Sequence, residues 1–312
     1  MRILVTGGAG FLGSHLADRL VADGHEVLCL DNLSSGRCRN IAHLESSARF
    51  RFIEADVVGP LPVRGPLDRI YHLASPVTCV HHVERPIATL RTAAEGTRNV
   101  LDLAAECGAV MLLASTSEVY GDPLVHPQVE TDAGHVNPTG PRSPYDEGKR
   151  FAEALAVAYA RQRGTKVRIA RIFNTYGPRL RPDDGRVIPT FIVCALAGKP
   201  LPVFGAGRQT RSFCYVSDMV EGLVRLAETE YGGPVNLGNT DEVAVLELAR
   251  EVLALVKSSS PVEMRPPMQD DPARRRPDIS LAKQILGWEP KVPRSEGLAR
   301  TIEYYRTEEP SR

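Results

Sequence analysis

Through the first half of the chain, short apolar runs, many of them β-branched, alternate with longer stretches whose apolar residues recur at helical spacing. Residues 2–5, 26–30, 50–55, 69–73, 110–114 and 167–172 read as strands. A helix begins near Phe11, with Leu12, Leu16 and Leu20 on one side, and is expected to end at Gly24 as a C-cap. Two longer helices, 87–107 and 145–163, are rich in Ala and Leu. Such alternation predicts an α/β fold: a Rossmann-type, doubly wound parallel sheet covered on both faces.

After Asn174 the pattern breaks, and Pro, Gly and Arg cluster at 177–186 and 198–211, which read as loops of a smaller α/β C-terminal substrate domain. The strand expected at 234–237, with the helix before it, reads as a return to the first domain. Further helices are expected at 243–257 and 281–286. The reading is therefore one domain of residues 1–173 plus about 212–240, and a second of about 174–211 and 241–312. No internal repeat or low-complexity tract interrupts this plan.

Composition narrows the partners. Of 312 residues, 43% are hydrophobic and 24% charged, enough for a sizeable core, and Lys plus Arg equals Asp plus Glu at 38 each. No bulk field draws nucleic acid or an anionic membrane, so any basic site is local. Cys29, Cys38, Cys79, Cys107, Cys194 and Cys214 show no zinc spacing and mostly lie in apolar runs, as reduced core residues do. The adjacent His81 and His82 are poorly placed to share one ion, so no metal is expected. No apolar run approaches the roughly 20 residues of a membrane span. The first strand begins without a signal-peptide pattern, and a cytoplasmic protein is expected.

Gly7-Gly8-Ala9-Gly10-Phe11-Leu12-Gly13 joins the first strand to the first helix. There, glycines let the backbone turn and approach a pyrophosphate at the helix N-terminus. Asp31 closes the second strand at the distance where an acid accepts hydrogen bonds from the adenosine ribose and repels a 2′-phosphate, which favours NAD over NADP. Asp56 is read either as an adenine contact or as an ordinary turn aspartate. Asn32, Val57 and Leu73 complete the expected cofactor contacts.

Tyr145 and Lys149, four apart on a helix, share a face. Alone, such a pair is usually packing and surface. Placed after an NAD fingerprint and a strand ending Ser115-Thr116-Ser117, it reads as a general base whose phenolate is favoured by the nearby ammonium and by the positive nicotinamide.

Here the chain resembles the extended short-chain dehydrogenase/reductase family over essentially its whole length, and within it the UDP-glucuronate decarboxylases. The most specific blocks are Ala114-Ser115-Thr116-Ser117-Glu118-Val119-Tyr120-Gly121 and Tyr145-Asp146-Glu147-Gly148-Lys149-Arg150. The resemblance implies that Thr116 hydrogen-bonds the reacting hydroxyl beside Tyr145 and Lys149. It also implies that Ser117-Glu118 replaces the Asp-Glu pair of sugar dehydratases, freeing Glu118 for proton handling around C5 or for shaping the site. Asn174 and Arg211 are implied as diphosphate and nucleotide-sugar contacts, Arg275 as both a substrate contact and a catalytic candidate, and Arg186 and Arg91 as further substrate contacts. The implied reaction oxidises C4 of UDP-glucuronate, releases carbon dioxide and restores C4 to give UDP-xylose. His81, His82 and Ala93 depart from the family pattern, which suggests that some UDP-4-keto-pentose escapes. The resemblance further implies a homodimer through a four-helix bundle formed by helices 87–107 and 145–163. Two other readings stay open: a nucleotide-sugar 4-epimerase or 4,6-dehydratase of the same fold, and a non-catalytic NAD-binding regulatory protein.

Overall fold

The computed structural model describes residues 1–76, 85–267 and 273–307. Its main sheet uses β1 (Arg2–Thr6), β2 (Glu26–Asp31), β3 (Phe50–Glu54), β4 (Arg69–His72), β5 (Val110–Thr116), β6 (Val167–Ile172) and β11 (Pro234–Leu237). Their spatial order is β11-β6-β5-β4-β1-β2-β3, and every pairing is parallel. Strand order therefore reverses between β1 and β4, where ligands bind in open α/β sheets.

Strand period explains why both faces are covered. In β1, Ile3 and Val5 join a core with Leu16 and Leu20 of α1 (Phe11–Ala22) and Leu223 of α6 (Val216–Glu228). Leu4, on the opposite face, joins Val100, Leu101 and Ala104 of α3 (Thr97–Cys107) and Ala152 and Ala156 of α4 (Ser143–Arg163). Arg19 of α1 and Glu221 of α6 pair at 2.6 Å across the first layer.

The helix expected over 87–107 is divided. It begins as α2 (Pro86–Arg91), widens into a π turn at Thr92–Gly96 and resumes as α3. Thr92 Oγ1 donates to the Ala88 carbonyl, and Gly96 lies so close to Val57 that a Cβ there would sit 2.7 Å from Val57 Cγ2. Helix α1 ends at Ala22, and Gly24 follows with φ +85°.

Residues 198–211 are not simply a loop, because Leu201 and Val203 are buried in β8 (Leu201–Phe204), which pairs with β13 (Val262–Arg265). β9 (Thr210–Ser212) pairs antiparallel with β12 (Glu242–Ala244) and parallel with β14 (Arg274–Arg275). β7 (Thr175–Tyr176) pairs with β10 (Cys214–Tyr215). Around them pack α5 (Val187–Leu196), α7 (Val245–Val256), α8 (Ser280–Leu286) and α9 (Arg294–Thr307). Helices α5 and α9 were not legible from spacing. Among the cysteines only Cys29 and Cys214 are buried; Cys38 is exposed, Cys107 and Cys194 are intermediate, and Cys79 lies outside the described residues. The expectation of mostly core cysteines is corrected accordingly: Cys38 falls in a short surface turn rather than in a strand.

Candidate active site

A cavity of about 890 Å³ runs along the C-terminal ends of β1, β2, β4, β5 and β6. At one end it is lined by Gly7, Gly10, Phe11, Leu12 and Gly13. These glycines answer a packing requirement: a Cβ on Gly13 would lie 2.1 Å from the Gly7 carbonyl oxygen, and one on Gly7, where φ is +72°, would meet the Ala74 backbone at 2.8 Å. Leu73 lies beside Ala74 on the cavity wall. Asn40 Nδ2 and the Arg37 N–H both donate to the Ala9 carbonyl, bracing the loop from outside.

Asp31 is buried, and its two oxygens accept the Ala9 and Leu33 amides at 3.0 and 2.8 Å. Burial raises its pKa, partly opposed by these amides. Gly10 contributes a third amide, and the carboxylate keeps acceptor capacity for a hydroxyl donor. Asp56 accepts the Val58 amide as a turn residue, and it lines the cavity with Val57 while its Oδ2 accepts from Asn32 Nδ2 at 2.9 Å. A glycine cradle, a helix N-terminus and a ribose acceptor therefore fit an adenine dinucleotide.

At the other end, β5 and the start of α4 converge. Thr116, Ser117, Glu118, Tyr145 and Lys149 all line the cavity, and the Tyr145 phenol is hydrogen-bonded to Thr116. Lys149 Nζ donates to the Ala114 carbonyl at 2.8 Å and lies 5.9 Å from the Tyr145 ring centroid. Burial dominates both groups. It pushes the phenol up to about 12, with Thr116 and Arg186 opposing, and lowers the Lys149 ammonium to about 8, with Glu153 opposing. Without the nicotinamide charge, desolvation outweighs neighbouring charge at both groups.

Glu118 is governed by its two arginine partners. Burial raises its pKa, but Arg275 and Arg142 outweigh burial and hold the carboxyl at about 2. Arg275 grips both its oxygens at 2.6 and 2.9 Å, and Arg142 reaches Oε2 at 2.7 Å. A carboxylate so fixed accepts hydrogen bonds and carries no proton to give. Arg142 was missed in the sequence; its place three residues before Tyr145, at the mouth of a helix, was the available signal.

The other expected substrate residues converge on the same cavity. In parallel register, β14 sets Arg275 beside Arg211 of β9, and both are buried. Asn174 follows β6, its carbonyl accepting the Cys214 amide. Arg186 is oriented by Asp184 at 2.9 Å. Arg91 reaches the wall but is held by Glu95 on its own helix, at 2.9 and 3.0 Å. Arg179 and Arg181, not foreseen, line the wall as well. Ala93 faces Gly148, where an added Cβ would lie 3.1 Å from its own Cβ. His81 and His82 lie outside the described residues.

Comparisons with known proteins show the family. A model of the NAD dependent epimerase/dehydratase family matches residues 3–238. UDP-glucuronic acid decarboxylase 1 of Danio rerio is 55% identical over 98% of this chain and 73% of its own length. Among solved structures, the dTDP-glucose 4,6-dehydratase from Streptomyces venezuelae with NAD bound is similar at 31% identity and TM-score 0.90, over 98% of this chain and 97% of that one. The UDP-glucuronic acid 4-epimerase from Bacillus cereus, in complex with UDP-glucuronic acid and NAD, is similar at 29% identity and TM-score 0.86, over 98% and 99%. The chain belongs to the NAD dependent epimerase/dehydratase family, within the extended short-chain dehydrogenases/reductases.

Proposed function

We propose that the protein is an NAD-dependent UDP-glucuronate decarboxylase producing UDP-xylose. The observation that carries this reading is the state of Glu118: beside Tyr145 the cavity holds two arginines around an ionised carboxylate, and Ser117 stands where a hydroxyl-expelling acid is needed. That surface suits a substrate carboxylate better than dehydration.

A dinucleotide held through its pyrophosphate by the glycine cradle would supply, from its oxidised nicotinamide, the acceptor for the C4 hydride and a positive charge that eases ionisation of Tyr145. Tyr145 takes the C4 hydroxyl proton while Thr116 orients that oxygen. With C4 a ketone, the C5–C6 bond breaks, its electrons form the C4–C5 enolate, and carbon dioxide leaves. Tyr145 and Thr116 hydroxyls stabilise the enolate oxygen. C5 then gains a proton from water held against the Glu118 carboxylate, since neither Glu118 nor a guanidinium is a ready donor. Return to C4 of the hydride taken in the first step, with return of the Tyr145 proton to the C4 oxygen, completes UDP-xylose.

Within this proposal, residues 1–173 with about 212–240 hold the cofactor, and about 174–211 with 241–312 hold the nucleotide sugar. The enzyme is a homodimer, and its five described cysteines, free of disulfides, suit the cytoplasm. Among the described residues no helix is long and apolar enough to cross a membrane. The test is to incubate purified protein with UDP-glucuronate and NAD, trap carbon dioxide and resolve the sugar nucleotides. Carbon dioxide with UDP-xylose is expected, and escaping UDP-4-keto-pentose would be seen in the same chromatogram. Interconversion at C4 without carbon dioxide would assign a 4-epimerase instead.

A further inference from the structure

Asp146, next to Tyr145 in the first turn of α4, is not used by the mechanism above. It is only 6% exposed, its Oδ1 has no hydrogen-bond partner among the described residues, and its Oδ2 lies 4.0 Å from Arg142 Nε. An unsatisfied buried carboxylate is costly, whereas a neutral acid tolerates the same place. The charged groups that face it come from several elements: Glu118 from the turn after β5, Arg142 from the approach to α4, Arg275 from β14 and Glu147 from its own helix. It also acts on Tyr145, whose phenol an ionised Asp146 pushes further up. Burial first, then Glu118, raises its carboxyl to about 7, with Arg142 and Arg275 only partly opposing.

The consequence is a matter of charge. Arg142 and Arg275 together carry two positive charges, and Glu118 cancels one. With Asp146 neutral, this cluster keeps one net positive charge at the cavity wall beside Tyr145; with Asp146 ionised, the cluster keeps none. We propose that Asp146 is a positioning residue that, as the neutral acid, leaves the Arg142–Glu118–Arg275 cluster with an excess positive charge and thereby selects a sugar bearing a carboxylate. This rests on the decarboxylase reading.

Two nucleotide sugars alike except at C6 test it on the NAD-loaded enzyme. The KM for UDP-glucuronate is measured from carbon dioxide release, and UDP-glucose, which lacks the carboxylate, is measured as a competitive inhibitor. Between about pH 6 and about pH 8, KM should rise about tenfold as Asp146 ionises, while the inhibition constant of UDP-glucose stays level. In Asp146→Asn, which is neutral at every pH, KM should hold its low-pH value throughout. A level KM in the unaltered enzyme, a parallel rise for UDP-glucose, or an unchanged slope in Asp146→Asn would each overturn the inference. The unaltered enzyme decides the question even if the variant fails to fold. Absence of carbon dioxide at any pH removes the decarboxylase reading and this inference with it; release with a level KM removes the inference alone.

Discussion

A phenol held at about 12 keeps its proton near neutral pH, so Tyr145 is a base only in a loaded site. Replacing it by Phe removes one oxygen and leaves the ring packing intact. Carbon dioxide release should fall by about 10²- to 10⁴-fold, the usual worth of a positioned acid–base group, while NAD binding measured by calorimetry persists. Near-normal turnover would show that another group takes the C4 proton. Glu118 offers a second test at this scale. Glu118→Gln leaves the buried Arg275 and the half-buried Arg142 short of their counterion and should cost about 3 kcal/mol in urea denaturation. That is the low end for a broken buried pair, because the cavity admits water. The folded pKa is depressed, so the stabilisation is present above the unfolded value of about 4.3 and is lost as pH falls through about 2. The gap between the two proteins should therefore narrow over that interval; a constant gap would mean that Glu118 acts through packing rather than charge.

Elements explain which parts were legible in advance. β1, β2 and β4–β6 announced themselves because strands buried on both faces are nearly continuous apolar runs, and the glycine loop because only Gly fits so close to its own backbone. The π turn was invisible: Thr92, Ala93 and Gly96 keep helical spacing, and the widening answers Val57 and Gly148 on distant segments. Likewise β9, β12 and β14 are two or three residues long, too short for any period, and only their pairing brings Arg211 beside Arg275. Arg142 escaped notice because its partner Glu118 lies 24 residues away. The β2 terminus, by contrast, supports a quantitative expectation. Asp31 braces Ala9 and Leu33 and still has acceptor capacity for ribose, so Asp31→Ala loosens the loop for any dinucleotide but removes the ribose contact for NAD alone. Calorimetry should show NAD weakened about tenfold to hundredfold and NADP much less. Equal weakening would reduce Asp31 to a loop brace.

For the whole molecule, the distribution of apolar surface is informative. Ile87, Leu90 and Phe151 are exposed by 73%, 42% and 50%, although α4 buries Ala152 and Ala156 in the core and α2 buries Thr89. Gly148, close to Leu90 and Ala93, lets α2 and α4 pack tightly, so these helices present their remaining apolar residues outward together. Large apolar side chains gathered on paired helices are better satisfied against a second copy than against water, and two such pairs make a four-helix bundle. Light scattering at micromolar concentration should therefore give twice the chain mass of 34.1 kDa. Phe151→Glu should shift the mass to that of one chain, because a dimer cannot bury this charge without a partner, yet an exposed position costs the monomer little. Circular dichroism unchanged from the parent would show that the subunit still folds. A parent protein already of single-chain mass, or a Phe151→Glu dimer as stable as the parent, would mean that this face is not the contact between copies.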